Sequence, residues 1–389
     1  MSGRDARGPA RQQHERHEVA SFRRLGHLTG MAGASPHRIP LHTIILPALG
    51  ILTWLLVGKA QSPVTALVLA VVLLGNVISA VHHAEVIALR IGEPFGTLVL
   101  ALAVTVIEVG MIVVLMVGGE PNPALMRDSI HAVVMLVLHG LAGLCIVVCA
   151  IYHREPEFHV AGANAFLSVL IPMAVLVLVM PNFVASVPGP FYSNLQLVFV
   201  SAVCLALYGA FLFIQTGWHR GYFMPVGDDD GRAAEPPGTR IVLASFGLLP
   251  VALVAVVLLA KSLTPALEAA LAAVQAPVAV TGIIIAAIVL LPESVAAVRA
   301  AARNRLQSSI NLSLGSGVAS IGLTVPTVAV VSRFIDQPLQ LGISQSNSIL
   351  MGLGVLIAVI TYGTGRTNVL AGVVHLTLLA AYLFLTFVP

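Results

Sequence analysis

Runs of about twenty apolar residues recur from residue 40 to the C-terminal end, and no other feature narrows the fold so far. About 20 such residues in a helix cross the hydrocarbon core of a bilayer, where every backbone N–H and C=O must be paired within the chain. Eleven runs are long enough: 40–58, 63–91, 95–118, 129–152, 162–181, 193–216, 240–260, 277–301, 307–332, 346–362 and 369–388. Only 10% of the residues are charged, against roughly 25% in a soluble domain. These runs are therefore membrane spans rather than core helices. The chain reads as an all-α polytopic membrane protein whose first partner is the lipid bilayer. Residues 262–276 read as a short interfacial helix before the eighth span.

Residues 1–39 hold seven Arg and no long apolar run, and read as a disordered basic tail. With that tail in the cytoplasm, sixteen of the twenty Lys and Arg lie on the cytoplasmic side; Lys59, Arg127, Lys261 and Arg333 lie opposite. Such a bias orients membrane proteins. It places the N-terminus in the cytoplasm and, in a bacterium, the protein in the inner membrane. The longest internal polar stretch, 217–239, is rich in Pro and Gly and reads as a linker. It separates a first half, 63–216, from a second, 240–388, with five spans in each and the 40–58 helix outside both. Five is odd, so the halves enter the membrane with opposite orientation. Transporters built this way hold their site at mid-depth between the halves.

Three carboxylates fall inside spans rather than at their ends: Glu85, Glu108 and Glu293. A charge at the bilayer centre costs about 2.5–3.5 kcal/mol on insertion scales, so each needs a polar cavity, a cation or a proton. Asn76, Ser79, His82 and His83 precede Glu85 on the same span. His82 and Glu85 are three apart, on one helix face, where a proton could pass between them. Pro292 comes directly before Glu293, and a proline leaves an upstream carbonyl without its usual donor.

The ninth span carries Ser309, Ser313, Ser316, Ser320 and Thr324 on one face, with Asn311 among them. Such a stripe suits close helix packing or the lining of a cation path, and the two are compatible. The third span echoes it with Thr105 one turn before Glu108. Oxygen ligands favour a hard cation such as Ca²⁺ or Na⁺ over zinc or copper. Cys145, Cys149 and Cys204 lie in apolar runs and read as small core residues. A net charge of +3 gives no reason to expect a nucleic-acid partner. No Gly-rich phosphate loop is present, and no nucleophile–base pair supports a membrane hydrolase.

The stretches His83-Ala84-Glu85-Val86, Arg90 to Thr97 and Val106-Ile107-Glu108-Val109 resemble the first α-repeat of bacterial ChaA-type calcium/proton antiporters. These form part of the cation/proton exchanger branch of the sodium/calcium exchanger superfamily. Leu291-Pro292-Glu293, Ser309-Ile310-Asn311, Leu314-Gly315-Ser316 and Leu323 to Pro326 resemble the second repeat, and Thr364 to Leu370 also fits. The resemblance implies one extra helix followed by two inverted five-helix repeats. It implies a central Glu from each repeat as cation ligand and proton carrier. Glu293 fits the second; Ser79 stands where the usual first-repeat Glu falls after Gly75-Asn76, which leaves Glu85 and Glu108 as candidates. Asp228, Asp229 and Asp230 match the acidic connection of such exchangers, as a regulatory element or a solvated loop. The expected activity is cation/proton antiport by alternating access, with Ca²⁺, Na⁺ or K⁺ leaving as H⁺ enters and no cofactor. A passive cation channel is the rival reading.

Overall fold

A computed structural model describes residues 40–58, 62–92, 95–118, 122–224 and 236–388. The basic tail and Asp228, Asp229 and Asp230 lie outside the described residues. The described residues form eleven helices: α1 Leu41–Val57, α2 Pro63–Ile91, α3 Phe95–Gly118, α4 Leu125–His153, α5 Val160–Asn182, α6 Asn194–Trp218, α7 Thr239–Ala273, α8 Ala279–Ala302, α9 Leu306–Phe334, α10 Gln345–Tyr362 and α11 Val369–Phe387. Nine of them are long and apolar enough to cross a membrane, and Leu41–Val57 and Leu102–Val117 are shorter apolar stretches. Each matches one of the eleven spans read from the sequence, because long apolar periodicity locates a helix even where it blurs its ends. Polar residues set several starts. Ser62 and Ser193 close capping boxes with Thr65 and Gln196, and Ser344 and Asn368 cap α10 and α11.

One expectation fails. Residues 262–276 do not form a separate helix, because α7 runs unbroken through Pro250 and Pro265 to Ala273. Pro265 removes the amide bond to the Lys261 carbonyl, and one residue earlier the Thr264 hydroxyl donates to the Ala260 carbonyl at 2.9 Å. The resulting 35 residues span about 52 Å at 1.5 Å each, well beyond the ~30 Å hydrocarbon core.

The halves pack with matching partners. α3 lies on α9 as α8 lies on α4, α6 lies on α9 as α11 lies on α4, and α2 lies along α7 with α1 across both. The outward faces carry large apolar side chains such as Leu56, Leu67, Leu195, Leu243, Phe246 and Ile349, which suit lipid and not water. Inside, small residues permit close crossings. A Cβ on Gly282 of α8 would sit 2.6 Å from the Asp128 carbonyl carbon and 2.7 Å from the Ser129 nitrogen of α4. Backbone on both sides cannot yield cheaply. Gly282→Ala is expected to cost about 1–3 kcal/mol, the usual penalty for overpacking. A drop of several degrees in the midpoint for loss of the monodisperse peak on heating in detergent would register it; an unchanged midpoint would show that the crossing is loose.

Loops tie the helices at both ends. At the end where α4 stops and α11 starts, Glu157 pairs with Arg366 at 2.9 Å and Phe158 N–H donates to the Gly365 carbonyl. Gly365 has φ +73°, which favours glycine, so the Thr364–Leu370 motif serves here as a docking turn.

Candidate cation and proton site

Glu108 comes from the middle of α3 and is 1% exposed. Ser320 of α9 reaches it across the bundle, its Oγ 2.7 Å from Oε1 and 2.8 Å from Oε2, so one hydroxyl hydrogen is shared between both oxygens. Glu293 comes from the middle of α8 and is 9% exposed, and its Oε2 has no hydrogen-bond partner. Pro292 does not break α8; it leaves the Ile288 carbonyl without an amide donor, while the Ser294 hydroxyl donates to Leu290 O at 2.7 Å.

Both carboxylates line one cavity of about 120 Å³. That holds a few waters at roughly 30 Å³ each, or an ion with part of its shell. Thr105, Ser316, Asn311 and Ser320 also line it, and among the described residues no Lys, Arg or His does. The cavity reaches from Glu108 and Glu293 past Ser316 to Asn311 and Gln215, towards the end of the bundle where α6 stops and α9 starts. In the other direction, Thr324, Val325 and Val328 are buried. Two acids with no basic partner in an apolar bundle can be kept only by protonation or by a cation.

Glu85 stands apart. It is exposed, does not line the cavity, and lies within electrostatic reach of Arg299 and of Glu293. No three described His, Cys, Asp or Glu side chains converge as a metal-ligand set. The three carboxylates therefore do not meet at one point: two share the cavity and Glu85 sits towards its open end. The turn of α2 explains this. Its buried face meets α1 and α7, where His83 Nδ1 is 3.1 Å from Ser245 Oγ and His83 Nε2 is 3.0 Å from the Thr43 carbonyl. Ser79 donates to the same carbonyl at 2.8 Å, and Asn76 packs against Gly50 and donates to Val72 O. Two residues on, Glu85 points about 200° away from His83. His82 turns its ring against His83, centroids 5.7 Å apart, and makes no hydrogen bond to Glu85. Asn76, Ser79, His82 and His83 thus belong to a helix seam and not to the cavity wall.

The hydroxyl stripe divides likewise. Ser309 donates to the Ala297 carbonyl at 2.7 Å and Ser313 to the Ser309 carbonyl at 2.8 Å, both serving backbone; Ser316 and Ser320 face the cavity. Asn311 is held by Gln307, which donates to its Oδ1 at 2.8 Å, and by its own bond to the Phe223 carbonyl at 2.6 Å. Sequence reading missed Tyr208 and Gln215, which line the cavity from α6. It also missed Asp128, His131, His139, His375 and Tyr382 along α4 and α11, although histidines inside apolar runs were a visible signal.

A bundle of long apolar helices with two buried carboxylates lining one cavity suits a membrane cation transporter. The chain belongs to the sodium/calcium exchanger protein family, which matches residues 61–217 and 244–388, one stretch in each half. A protein of Sinorhizobium fredii named as an ionic transporter, y4hA, is 45% identical over 360 residues, covering 90% of this chain and 97% of that one. The sodium-potassium/proton antiporter ChaA of Escherichia coli is 35% identical over 353 residues, covering 89% of this chain and 96% of its own. Native YfkE shares the fold, with a TM-score of 0.68 at 18% identity over 89% of this chain and all of that one.

Proposed function

We propose that this protein exports Ca²⁺, or Na⁺ or K⁺, from the cytoplasm in exchange for H⁺. Glu293 and Glu108 carry the cargo, Thr105, Ser316, Ser320 and Asn311 support them, and Glu85 guides cations at the open end. The observation that carries the reading is a cavity with two carboxylates and, among the described residues, no basic side chain. Such a pair holds a cation or protons, not both fully, so each flux depends on the other. The names of relatives support antiport, and that of ChaA includes sodium and potassium. A channel would need a continuous path, whereas buried Thr324, Val325 and Val328 follow the cavity on α9. The decisive assay is cation-induced collapse of a pH gradient in everted vesicles. Cation flux with no proton movement would overturn the antiport reading in favour of a channel.

Two inverted five-helix repeats and the Arg asymmetry support a cytoplasmic N-terminus, a cytoplasmic 217–239 linker and an external C-terminus. In that orientation the cavity opens inwards. A cysteine replacing Asp229 is expected to react with an impermeant maleimide in everted vesicles and not in intact spheroplasts, with exchange retained. Labelling from outside only would refute the inverted arrangement. Replacing Asp228, Asp229 and Asp230 with Asn is expected to change apparent cation affinity at most, since a stretch this rich in Pro and Gly reads as a linker between spans.

A further inference from the structure

We propose that Asp128, His131 and Tyr382 form a second, proton-only site that passes protons between the outer face and the carboxylate cavity. The inference rests on the exchanger reading and adds the path of the counter-ion.

α4 starts at the end of the bundle opposite the cavity opening. Asp128 lies in its first turn and is 9% exposed; His131 lies one turn further in and is 3% exposed. Tyr382 of α11 stands edge-on to His131, ring centroids 4.9 Å apart, and is buried too. His131 Nε2 has no hydrogen-bond partner. Such a group costs about 1–3 kcal/mol to bury. A leucine would fill this seam at no such cost. Arg127 lies within electrostatic reach of His131 and Asp128 within reach of Tyr382; the two are bonded to each other at 2.8 Å, and Arg127 also donates to the Gly342 carbonyl at 3.3 Å. From α11 only Tyr382 faces it, and the first two turns of α8, packed on the start of α4, contain no titratable residue.

Val133, two residues beyond His131, lines the carboxylate cavity. His131 therefore sits about 3 Å nearer the outer end of α4 than that wall, with its ring turned about 200° from the cavity and towards Tyr382 of α11. Symmetry gives its use. The cavity opens along α9 and α6, where Tyr208, the fifteenth residue of α6, is part of the wall. The repeat counterparts of α9 and α6 are α4 and α11, and Tyr382 is the fourteenth residue of α11. When the halves exchange roles, the α4–α11 seam opens to the other side and wets His131 and Tyr382. His131 Nε2 then takes a proton from outside water, beside the Asp128 carboxylate, and releases it through water to the Glu293 carboxylate as the cation leaves.

The test compares two fluxes in proteoliposomes: uptake of radiolabelled Ca²⁺ driven by a pH gradient, and Ca²⁺/Ca²⁺ isotope exchange at equal pH. The second needs the cation site and alternating access but no proton. His131→Gln is expected to lower gradient-driven uptake by at least about tenfold while isotope exchange stays within about twofold of wild type. Asp128→Asn should show the same split, and covers the case of poor folding of the first variant. Equal loss of both fluxes in the variants would assign these residues a structural role, and no loss of either would remove them from the proton path; each result overturns the proposal. Wild-type protein with isotope exchange but no gradient-driven uptake would instead overturn the antiport reading itself.

Discussion

Glu293→Gln is expected to abolish exchange, by at least about 100-fold, while the protein still reaches the membrane in normal amounts. Glutamine keeps the size and the packing of α8 around Pro292. It removes one of the two carboxylates in a cavity that, among the described residues, has no basic side chain. A unit charge pair at 4 Å is worth about 4 kcal/mol at an effective dielectric of 20, or nearly three decades in binding, and a divalent cation feels about twice that. The amide also cannot take up the proton that the cation displaces. Both halves of the exchange cycle are lost together, so Ca²⁺/Ca²⁺ isotope exchange should vanish along with gradient-driven uptake. That distinguishes this variant from those at His131. Fluorescence quenching of an acridine dye in everted vesicles, with the amount of protein measured by immunoblot, is a sufficient assay. Near wild-type dequenching on cation addition would mean that the shared-carboxylate scheme is wrong.

The architecture was legible because it is written in one-dimensional patterns. Apolar runs gave all eleven helices, and the odd number on each side of the linker pointed to opposed halves. The site was legible in part. An acid in the middle of an apolar run is conspicuous whatever its neighbours, so Glu108 and Glu293 stood out. The polar residues before Glu85 stood out equally, yet they turn towards α1 and α7. Helical spacing shows which residues share a face, but not what that face meets. For α2 the answer lies in Thr43 and Ser245, far away in the chain. The same limit explains the serine stripe. Ser309 and Ser320 have equal spacing from their neighbours, but one satisfies the Ala297 carbonyl of α8 and the other the Glu108 carboxylate of α3. Asp128 escaped notice because the fourth span reads as starting at 129, whereas α4 begins at Leu125 and carries the acid inside the bundle. A boundary error of one turn decides whether a carboxylate counts as buried.

The second large effect is expected at Glu108, and its neighbour Ser320 separates charge from geometry. Glu108→Gln should reduce exchange as deeply as Glu293→Gln, by at least about 100-fold on the same charge argument. The amide can still hydrogen-bond to Ser320 Oγ, so folding should persist. Ser320→Ala should act differently. A hydroxyl donates to a carboxylate and accepts from a carboxylic acid, so Ser320 serves Glu108 in both of its working states. Its removal takes away a bond to a charged group, worth about 1.5–3 kcal/mol, but leaves the charge itself in place. The expected result is a fall of roughly tenfold in apparent cation affinity with the maximal rate largely kept, since 1.4 kcal/mol is a factor of ten. Ser320→Thr restores the hydroxyl and should recover most of the affinity. Glu85→Gln removes a charge from an exposed side chain that does not line the cavity, and salt screens exposed charges. It should cost less than Glu108→Gln and more at low salt than at high. The ranking Glu108→Gln, then Ser320→Ala, then Ser320→Thr can be read from cation titrations of the pH-gradient collapse. If Glu85→Gln proved as severe as Glu293→Gln while Glu108→Gln still exchanged, the first-repeat ligand would be Glu85, and the cavity at Glu108 would need α2 to rotate towards it before a cation could bind.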